Sequence, residues 1–321
     1  MAETVLTPQA LQELRQSLPL LSDGEPLSPQ LRAFCQFYGI DFSDRTPDVS
    51  HCVGTVATGN YSLAVHCWTQ SGARSNLLLV HGYTDHVGLF GHLVEYGLRR
   101  GCNVIAFDLP GHGLSSGEAV TIDEFTDYQS AIAAVLAASP GQDLPWWVMA
   151  QSTGCAALIE YSRVHSWPFV ATVFMAPLIR PASWRRVELA YFFLHRFKKS
   201  VSRSFSNNSG DKAFLAFVKN DPLQSRTISV AWIGALRRWL AGLSFKDLGL
   251  GSVLVLQGDN DGTVDWRYNM KKITSLLPQS HIEYLSGGGH HLANETADIR
   301  RQYFRLIDEY LNQPETNPEL E

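Results

Sequence analysis

The sequence is poor in the features that define several classes of protein. Its five cysteines lie far apart and form no C-x-x-C pair, so we expect reduced thiols and neither a disulfide framework nor a zinc site. No stretch reaches the roughly 18 uncharged apolar residues that a membrane-spanning helix needs. Positive charge is not in excess, because the formal net charge is -5, and we expect no nucleic acid partner.

The N-terminus lacks the pattern of an export signal. The segment MAETVLTPQALQELRQSLPLL has acids where a signal peptide would have bases, and glutamine and glutamate interrupt its apolar residues. We therefore expect a cytoplasmic protein, although the sequence leaves a periplasmic location open. With 321 residues, 45% of them hydrophobic and 18% charged, the chain can form one large α/β domain with insertions or two small domains.

Short apolar runs alternate with helical stretches along most of the chain. Helical stretches such as FGHLVEYGLRRG and IDEFTDYQSAIAAVLAAS separate most of the runs. This alternation predicts an α/β fold with a mostly parallel sheet and helices on both faces. An antiparallel hairpin is predicted over residues 51–68. The predicted buried strands are residues 76–80, 103–109, 145–150, 170–176, 252–257 and 281–285.

Changes in pattern divide the chain into five predicted segments. An N-terminal helical extension covers residues 1–45, and the first part of the α/β core covers 46–177. A helical cap is inserted at 178–249, the second part of the core covers 250–312, and a flexible tail covers 313–321. The cap is helical, aromatic and basic, unlike the core that it interrupts.

One serine lies where a strand is predicted to end and a helix to begin. Ser152 is the centre of an A-x-S-x-G pattern that starts at Ala150 and ends at Gly154, between PWWVMA and GCAALIEYSRV. The G-x-S-x-G nucleophile elbow needs this context, because small residues on either side of the serine let strand and helix approach closely. The alternative is that Ser152 only caps the helix, since serine is a favoured N-cap residue.

A nucleophilic serine needs a base, and the base needs a group that orients it. The stretch VLVLQGDNDGTVD places Asp259, Asp261 and Asp265 just after a predicted strand. The stretch HIEYLSGGGHHLANE places His290 and His291 after the next one. Open α/β sheets form their sites at such strand ends, and the order serine, aspartate, histidine suits a catalytic triad. A metal site is not expected, because no third ligand accompanies the two histidines.

A further component would stabilise a negatively charged oxygen. The stretch NLLLVHGYTDH ends a predicted strand with His81, Gly82 and Tyr83. The glycine lets the next backbone N–H point into the site, so the amides of Tyr83 and Thr153 are the predicted oxyanion-hole donors. In isolation, the pair His81-Gly82 would indicate only a turn.

In combination these motifs resemble the α/β-hydrolase fold family, and within it the monoacylglycerol lipase and lysophospholipase branch. The resemblance covers residues from about 50 to 312. HGYTDHVGLF is similar to that branch's H-G-x-x-acid-H loop, with Asp85, His86 and Phe90 in the expected places, and FVKNDPL in the cap also matches. The resemblance of GDNDGTV to G-x-x-D selects Asp261, and that of GGGHHLANE to H-x-L-x-x-E selects His290.

The resemblance implies a serine hydrolase that cleaves carboxylic esters through an acyl-enzyme, with Ser152, His290 and Asp261 as the triad and no cofactor. The implied substrates are lipid esters with apolar acyl chains, of the monoacylglycerol or lysophospholipid type. A thioesterase or carbon–carbon bond hydrolase of the same fold, or an inactive hydrolase-fold binding protein, are the alternatives. The departures from the branch are Ala150 in the elbow and the N-terminal extension.

The cap is expected to contribute the substrate site. WRRVELAYFFLHRFKKSV is predicted as one helix and ISVAWIGALRRWLAGL as another. The apolar face predicted for the first helix consists of Val187, Tyr191, Leu194, Phe197 and Val201. The predicted substrate-binding side chains are Trp184, Tyr191, Leu194 and Trp232. The alternative is that these side chains only seal the cap against the core.

The cap is also strongly basic. Residues 178–203 contain seven bases and one acid, so this segment carries a formal charge of +6 in a protein of net charge -5. A basic amphipathic helix with tryptophan and phenylalanine is typical of contact with an anionic membrane surface. Peripheral membrane contact through the cap is therefore one interpretation, and a solvated face that pairs with acids elsewhere is the other. The sequence does not predict an oligomeric state.

Overall fold

An eight-stranded sheet forms the centre of the structure, a computed structural model that describes residues 6–21, 26–46, 48–204 and 207–312. The strand order in this sheet is β1-β2-β4-β3-β5-β6-β9-β10, and a separate pair consists of β7 and β8. The strands are β1 (Val49–Thr58), β2 (Tyr61–Gln70), β3 (Ser75–Val80), β4 (Cys102–Phe107), β5 (Trp146–Gln151), β6 (Phe169–Met175), β7 (Ser200–Ser202), β8 (Thr227–Ser229), β9 (Val253–Gly258) and β10 (Ser280–Leu285).

The sheet is parallel from β4 to β10, and β1 and β2 form an antiparallel hairpin that pairs with β4. The inner strands β3 and β4 are buried along their whole length, as expected for strands that helices cover on both sides. The predicted hairpin and the predicted mostly parallel sheet are confirmed.

Helices cover both faces of the sheet. On one face α4, α5, α8 and α9 share a hydrophobic core with the strands, and on the other face α1, α2, α3 and α10 share a second core. The fold class is therefore confirmed as α/β. The helices are α1 (Pro8–Ser17), α2 (Pro29–Phe37), α3 (Gly91–Arg99), α4 (Thr126–Ala138), α5 (Thr153–Ser162), α6 (Trp184–Leu194), α7 (Lys212–Asn220), α8 (Val230–Gly242), α9 (Trp266–Leu276) and α10 (Ala297–Leu311).

The described part of the N-terminal extension is helical, and it packs on the hairpin. Ser28 caps α2 by accepting a hydrogen bond from the Leu31 N–H at 3.3 Å. Between the two helices, the backbone of Leu21 donates to the Thr55 carbonyl at 2.9 Å. This contact covers the outer edge of β1, which would otherwise present unpaired backbone groups.

The region between β6 and β9 contains α6, α7, α8 and the β7–β8 pair. The prediction of one helix over residues 184–201 is wrong, because α6 ends at Leu194 and Val201 pairs with Ile228 in the small sheet. The pairing of β7 with β8 could not be predicted from the local helical period, because β8 lies more than 20 residues further along the chain. Phe197, predicted on the apolar face, is 82% exposed.

No helix in the described ranges is long and apolar enough to cross a membrane. The predicted tail, residues 313–321, lies outside the described residues. The domain boundaries that follow from the sequence stay a prediction.

Candidate active site

Ser152 occupies a sharp turn between β5 and α5. Its backbone has φ 54° and ψ -113°, a conformation that costs a non-glycine residue about 1–3 kcal/mol. The Ser152 N–H donates to the Met175 carbonyl at 2.9 Å, which helps to hold the turn. Although Ser152 stands at the N-cap position of α5, its side chain makes no capping hydrogen bond. The hydroxyl therefore does not act as a helix cap.

The residues around the turn explain the A-x-S-x-G pattern. A Cβ on Gly154 would lie 2.3 Å from the Val80 carbonyl oxygen, so only glycine lets α5 approach β3 this closely. Ala150, which departs from the usual glycine, is 1% exposed, and its carbonyl accepts a hydrogen bond from the Cys155 thiol at 3.1 Å. The extra methyl group is thus accommodated in the core.

Three side chains from three strand ends form a continuous hydrogen-bonded chain. His290 Nε2 lies 2.9 Å from the Ser152 hydroxyl, and His290 Nδ1 lies 2.7 Å from Asp261 Oδ2. Ser152 follows β5, Asp261 follows β9 and His290 follows β10, so the carboxyl ends of the parallel strands bring them together. This is the geometry that a serine nucleophile, a base and an orienting carboxylate require.

The Asp261 carboxylate is held by several donors. Its Oδ1 accepts the N–H groups of Thr263 at 2.8 Å and Val264 at 3.1 Å, and its Oδ2 accepts from Gln257 Nε2 at 3.2 Å. Burial alone would raise the pKa of Asp261, but the charge and hydrogen bond of His290 and the two backbone donors outweigh it. The pKa lies below its ordinary value, so the group is a carboxylate at neutral pH.

The pKa of His290 is raised above its ordinary value of about 6.5. Burial opposes the charged imidazolium, but the charge of Asp261 and its hydrogen bond outweigh burial. A neutral His290 is needed to accept the serine proton, so kcat/KM for an ester is expected to fall as pH decreases through this raised pKa. The pH profile of kcat/KM measures this dependence. An acid limb below pH 6 would contradict a raised pKa of His290.

The other acids and the other histidine considered for the triad have different partners. Asp259 is exposed and accepts the Gly287 N–H at 2.7 Å, and Asp265 caps α9 through the Tyr268 N–H at 3.3 Å. His291 points to a different carboxylate, with Nε2 3.3 Å from Asp85 Oδ1. None of the three contacts Ser152 among the described hydrogen bonds and ion pairs.

The loop after β3 passes close to the nucleophile. A Cβ on Gly82 would lie 3.2 Å from the Ser152 Cβ, so a larger residue would fit only if its neighbours moved by a few tenths of an ångström. The next residue, Tyr83, stacks on Trp232 with ring centroids 3.9 Å apart, and its hydroxyl accepts the Ser229 N–H at 3.0 Å. Thr153 begins α5, where backbone N–H groups have no intrahelical partner. The predicted oxyanion-hole amides of Tyr83 and Thr153 stay a prediction.

Two buried side chains that sequence reasoning gave no role hold the site together. Glu295 is fully buried, and its Oε1 accepts the Gly289 N–H at 2.7 Å, next to the base, and the Gly210 N–H at 3.0 Å. Gln257 donates to Asp261 from the end of β9. A polar residue at the end of a buried apolar strand was the signal that could have identified Gln257.

A second buried network joins three parts of the chain. His86 Nε2 lies 2.8 Å from Asp221 Oδ2, and the Tyr38 hydroxyl donates to Asp221 Oδ1 at 2.7 Å. Burial opposes the charged forms of both groups, but their contact lowers the pKa of Asp221 and raises that of His86. The network therefore connects the loop after β3 with the extension and with the segment after α7.

The four predicted substrate-binding side chains differ in their surroundings. Trp232 is 4% exposed, and its Nε1 donates to the Tyr128 hydroxyl at 2.9 Å. Tyr191 stacks on His195 with ring centroids 4.9 Å apart, Trp184 packs against the core that contains Trp232, and Leu194 is half-buried. Trp232 contacts the loop beside Ser152 by stacking on Tyr83. The substrate-binding roles stay predictions.

This fold and these strand-end residues define an α/β-hydrolase. A family model described as serine aminopeptidase, S33 (Hydrolase_4) matches residues 71–297, and the chain belongs to this family. The match begins after the extension and the first two strands. The enzyme class is carboxylic ester hydrolase.

The chain is also similar to individual proteins of known class. The chain is 23% identical over 261 residues to phospholipase YtpA of Bacillus subtilis (strain 168), covering 76% of this chain and 100% of that protein. It is 28% identical over 283 residues to monoglyceride lipase of Homo sapiens, and the match covers 83% of this chain and 91% of that protein. A soluble variant of monoglyceride lipase from Saccharomyces cerevisiae, solved with a substrate analog, has the same fold, with a TM-score of 0.69 and 18% identity. The match covers 80% of this chain and 94% of that structure.

Proposed function

We propose that this protein hydrolyses carboxylic esters of apolar acyl chains, of the monoacylglycerol or lysophospholipid type, with Ser152, His290 and Asp261 as its catalytic triad. The observation that carries the proposal is the hydrogen-bonded chain from the Ser152 hydroxyl through His290 to Asp261. The names of the relatives support the lipid substrate, since two of them are a phospholipase and a monoglyceride lipase.

Acylation begins when His290 Nε2 takes the proton of the Ser152 hydroxyl as the oxygen attacks the ester carbonyl. Asp261 keeps the proton on Nδ1, which leaves Nε2 free to accept. The amides of Tyr83 and Thr153 donate to the carbonyl oxygen as it becomes negative. His290 then gives its proton to the departing alcohol oxygen, and the acyl group remains on Ser152.

Deacylation repeats these steps with water. His290 removes a proton from a water molecule that attacks the acyl-enzyme, and the second tetrahedral intermediate uses the same two amides. The proton returns to Ser152 as the fatty acid leaves. The cycle balances without an oxidant, a reductant or a cofactor.

A fluorophosphonate probe tests the nucleophile directly. The probe is expected to label the protein at Ser152, and the label should be lost in Ser152→Ala. Ser162→Ala is the matched control, because Ser162 lies at the other end of α5 and its hydroxyl donates to a helix carbonyl. No labelling of the folded wild-type protein would favour the inactive binding protein.

A substrate panel tests the ester class. Monoacylglycerols, lysophospholipids, p-nitrophenyl esters, an acyl-CoA thioester and an aminoacyl anilide should be compared by kcat/KM. The anilide is included because the family description names an aminopeptidase. We expect the long-chain lipid esters to be preferred. Faster turnover of the thioester or the anilide would reject the proposed substrate.

Membrane contact through the cap is a second proposal, and it rests on the surface of α6. This helix has no buried residue. Four large apolar side chains on it and just beyond it are at least 60% exposed: Leu189, Phe192, Phe193 and Phe197. Five bases in the same segment are also exposed: Arg185, Arg186, Arg196, Lys198 and Lys199. Buried apolar area and attraction to anionic lipid together would hold such a surface on a membrane.

Binding to anionic vesicles is expected at low salt and should fade as salt screens the charges. Lys198→Glu/Lys199→Glu should weaken sedimentation with the vesicles at least about tenfold, since each base near the surface contributes about 1 kcal/mol. Turnover of a soluble short-chain ester should be unchanged. Lys271→Glu/Arg301→Glu is the control, because it changes the net charge equally on exposed positions of α9 and α10. Equal binding to neutral vesicles, or equal losses in both double variants, would reject this surface.

A further inference from the structure

Three side chains that commonly bind metal ions meet beneath the N-terminal extension. Cys35 comes from α2, His51 from β1 and His66 from β2, and one ligand atom of each lies within 4.8 Å of the other two. Cys35 and His66 are fully buried. No short spacing motif connects the three residues, because each belongs to a different element. For this reason the sequence predicted no zinc site.

The hairpin places the two histidines side by side. His66 pairs with Val53, two residues along β1 from His51, so both rings lie on the sheet face that α2 covers. His51 Nε2 and His66 Nδ1 are 3.1 Å apart. The other two ring nitrogens, His51 Nδ1 and His66 Nε2, have no hydrogen-bond partner among the described residues. Buried polar atoms are nearly always paired, so the two rings are incompletely satisfied here. The facing nitrogens share one hydrogen bond, which a cation between the rings would replace.

The distances suit a small soft cation. Zinc binds thiolate sulfur at about 2.3 Å and imidazole nitrogen at about 2.0–2.1 Å, so ligand atoms of a tetrahedral site lie about 3.3–3.6 Å apart. The two histidine nitrogens already have nearly this separation. Because all three ligand atoms lie within 4.8 Å of one another, contraction to a tetrahedral site would need movements of about 1 Å.

Metal binding would require one change of protonation in this cluster. Zinc binds imidazole through a nitrogen that carries no proton and binds cysteine as the thiolate, so a bound ion would displace the proton of the Cys35 thiol to solvent.

We propose that Cys35, His51 and His66 bind one zinc ion, with a water molecule as the fourth ligand. A cavity of about 230 Å³ is lined by His51 and Trp68, so the cluster borders an open space on the side of His51. The ion would fasten α2 to the β1–β2 hairpin. Because Tyr38 at the end of α2 bonds to Asp221, the ion would also restrain the network of Tyr38, Asp221 and His86. Its role is structural and independent of the proposed ester hydrolysis.

The test uses the full chain, freed of metal with a chelator and titrated with Co²⁺ and with Zn²⁺. We expect one equivalent of Co²⁺ to give a thiolate-to-cobalt charge-transfer band and the intense visible bands of a tetrahedral site. Cys35→Ser should remove the charge-transfer band and weaken Zn²⁺ binding by on the order of 100-fold or more. Cys102→Ser is the matched control, because Cys102 is also buried but contacts Ser75 instead.

A thermal unfolding series completes the test. Zn²⁺ should raise the Tm of the wild-type protein and of Cys102→Ser, but not that of Cys35→Ser. If Cys35→Ser does not fold, the cobalt spectrum of the wild-type protein still decides the question. Absence of a thiolate-to-cobalt band in the folded wild-type chain, or equal Zn²⁺ affinity in Cys35→Ser, would overturn the proposal.

Discussion

Ser152→Ala and His290→Ala are each expected to lower kcat for ester hydrolysis by on the order of 10⁵- to 10⁶-fold. Ser152→Ala removes the nucleophile, and His290→Ala removes the only described base within hydrogen-bond distance of its hydroxyl. The members of a triad act as a unit, so the double variant should be no slower than either single variant. Initial rates on a p-nitrophenyl ester measure the losses, and circular dichroism verifies that each variant is folded.

His291→Ala is the matched control for the loss at His290. The two histidines are adjacent, but His291 Nε2 lies 3.3 Å from Asp85 and not near Ser152. Its removal leaves a buried carboxylate without this partner, so the free energy of unfolding should fall by about 1–3 kcal/mol while kcat changes by about tenfold or less. Equal and severe losses of kcat at both histidines would contradict the assignment of the base.

The sequence predicted the inner strands of the sheet well because they are buried on both faces. Runs such as NLLLV and VLVLQ are apolar at nearly every position, and the structure has β3 and β9 there. The elbow and the two strand-end loops were predicted for a related reason. Parallel strands bring their carboxyl ends to one edge, so the order of strands along the chain was enough to expect a serine, an aspartate and a histidine together. The family resemblance was needed to select Asp261 and His290 from their neighbours.

Features that depend on contacts between distant segments were not predictable. The end of α6 was missed, because β7 pairs with a strand that follows α7. Tyr83 stacks on Trp232, and the local sequence pattern of neither segment predicts this contact. The same holds for Cys35, His51 and His66, which meet only because α2 packs on the hairpin. Local periodicity determines elements, whereas these contacts depend on how the elements pack.

The N-terminal extension contacts the segment after α7 and the loop after β4. Tyr38 bonds to Asp221, which in turn bonds to His86 in the loop after β3. From α1, Arg15 donates to the Gly113 carbonyl at 2.8 Å, in the loop that follows β4. These buried or half-buried contacts run to loops and not to the sheet alone. The extension is thus placed to limit the movement of the loops around Ser152.

Asp261→Asn is expected to leave the protein folded and to lower kcat by about 10⁴-fold. The backbone N–H groups of Thr263 and Val264 both donate to Oδ1, so in the variant the amide oxygen would occupy that position. The amide nitrogen would then face His290 Nδ1 and donate a hydrogen bond to it. His290 would carry its own proton on Nε2, where it could not accept the proton of Ser152.

The controls for this loss are Asp259→Asn and Asp265→Asn, which make the same chemical change in the same loop. Asp259 bonds to a backbone N–H and Asp265 pairs with Arg180 at 2.6 Å, so neither change alters the tautomer of His290. Both variants should keep kcat within about tenfold of wild type, since a lost surface pair is worth about 1 kcal/mol or less. In Asp261→Asn the acid limb of the kcat/KM profile should also move to lower pH, because the group that raises the pKa of His290 is gone. A large loss in Asp259→Asn with normal rates in Asp261→Asn would show that another carboxylate orients the base.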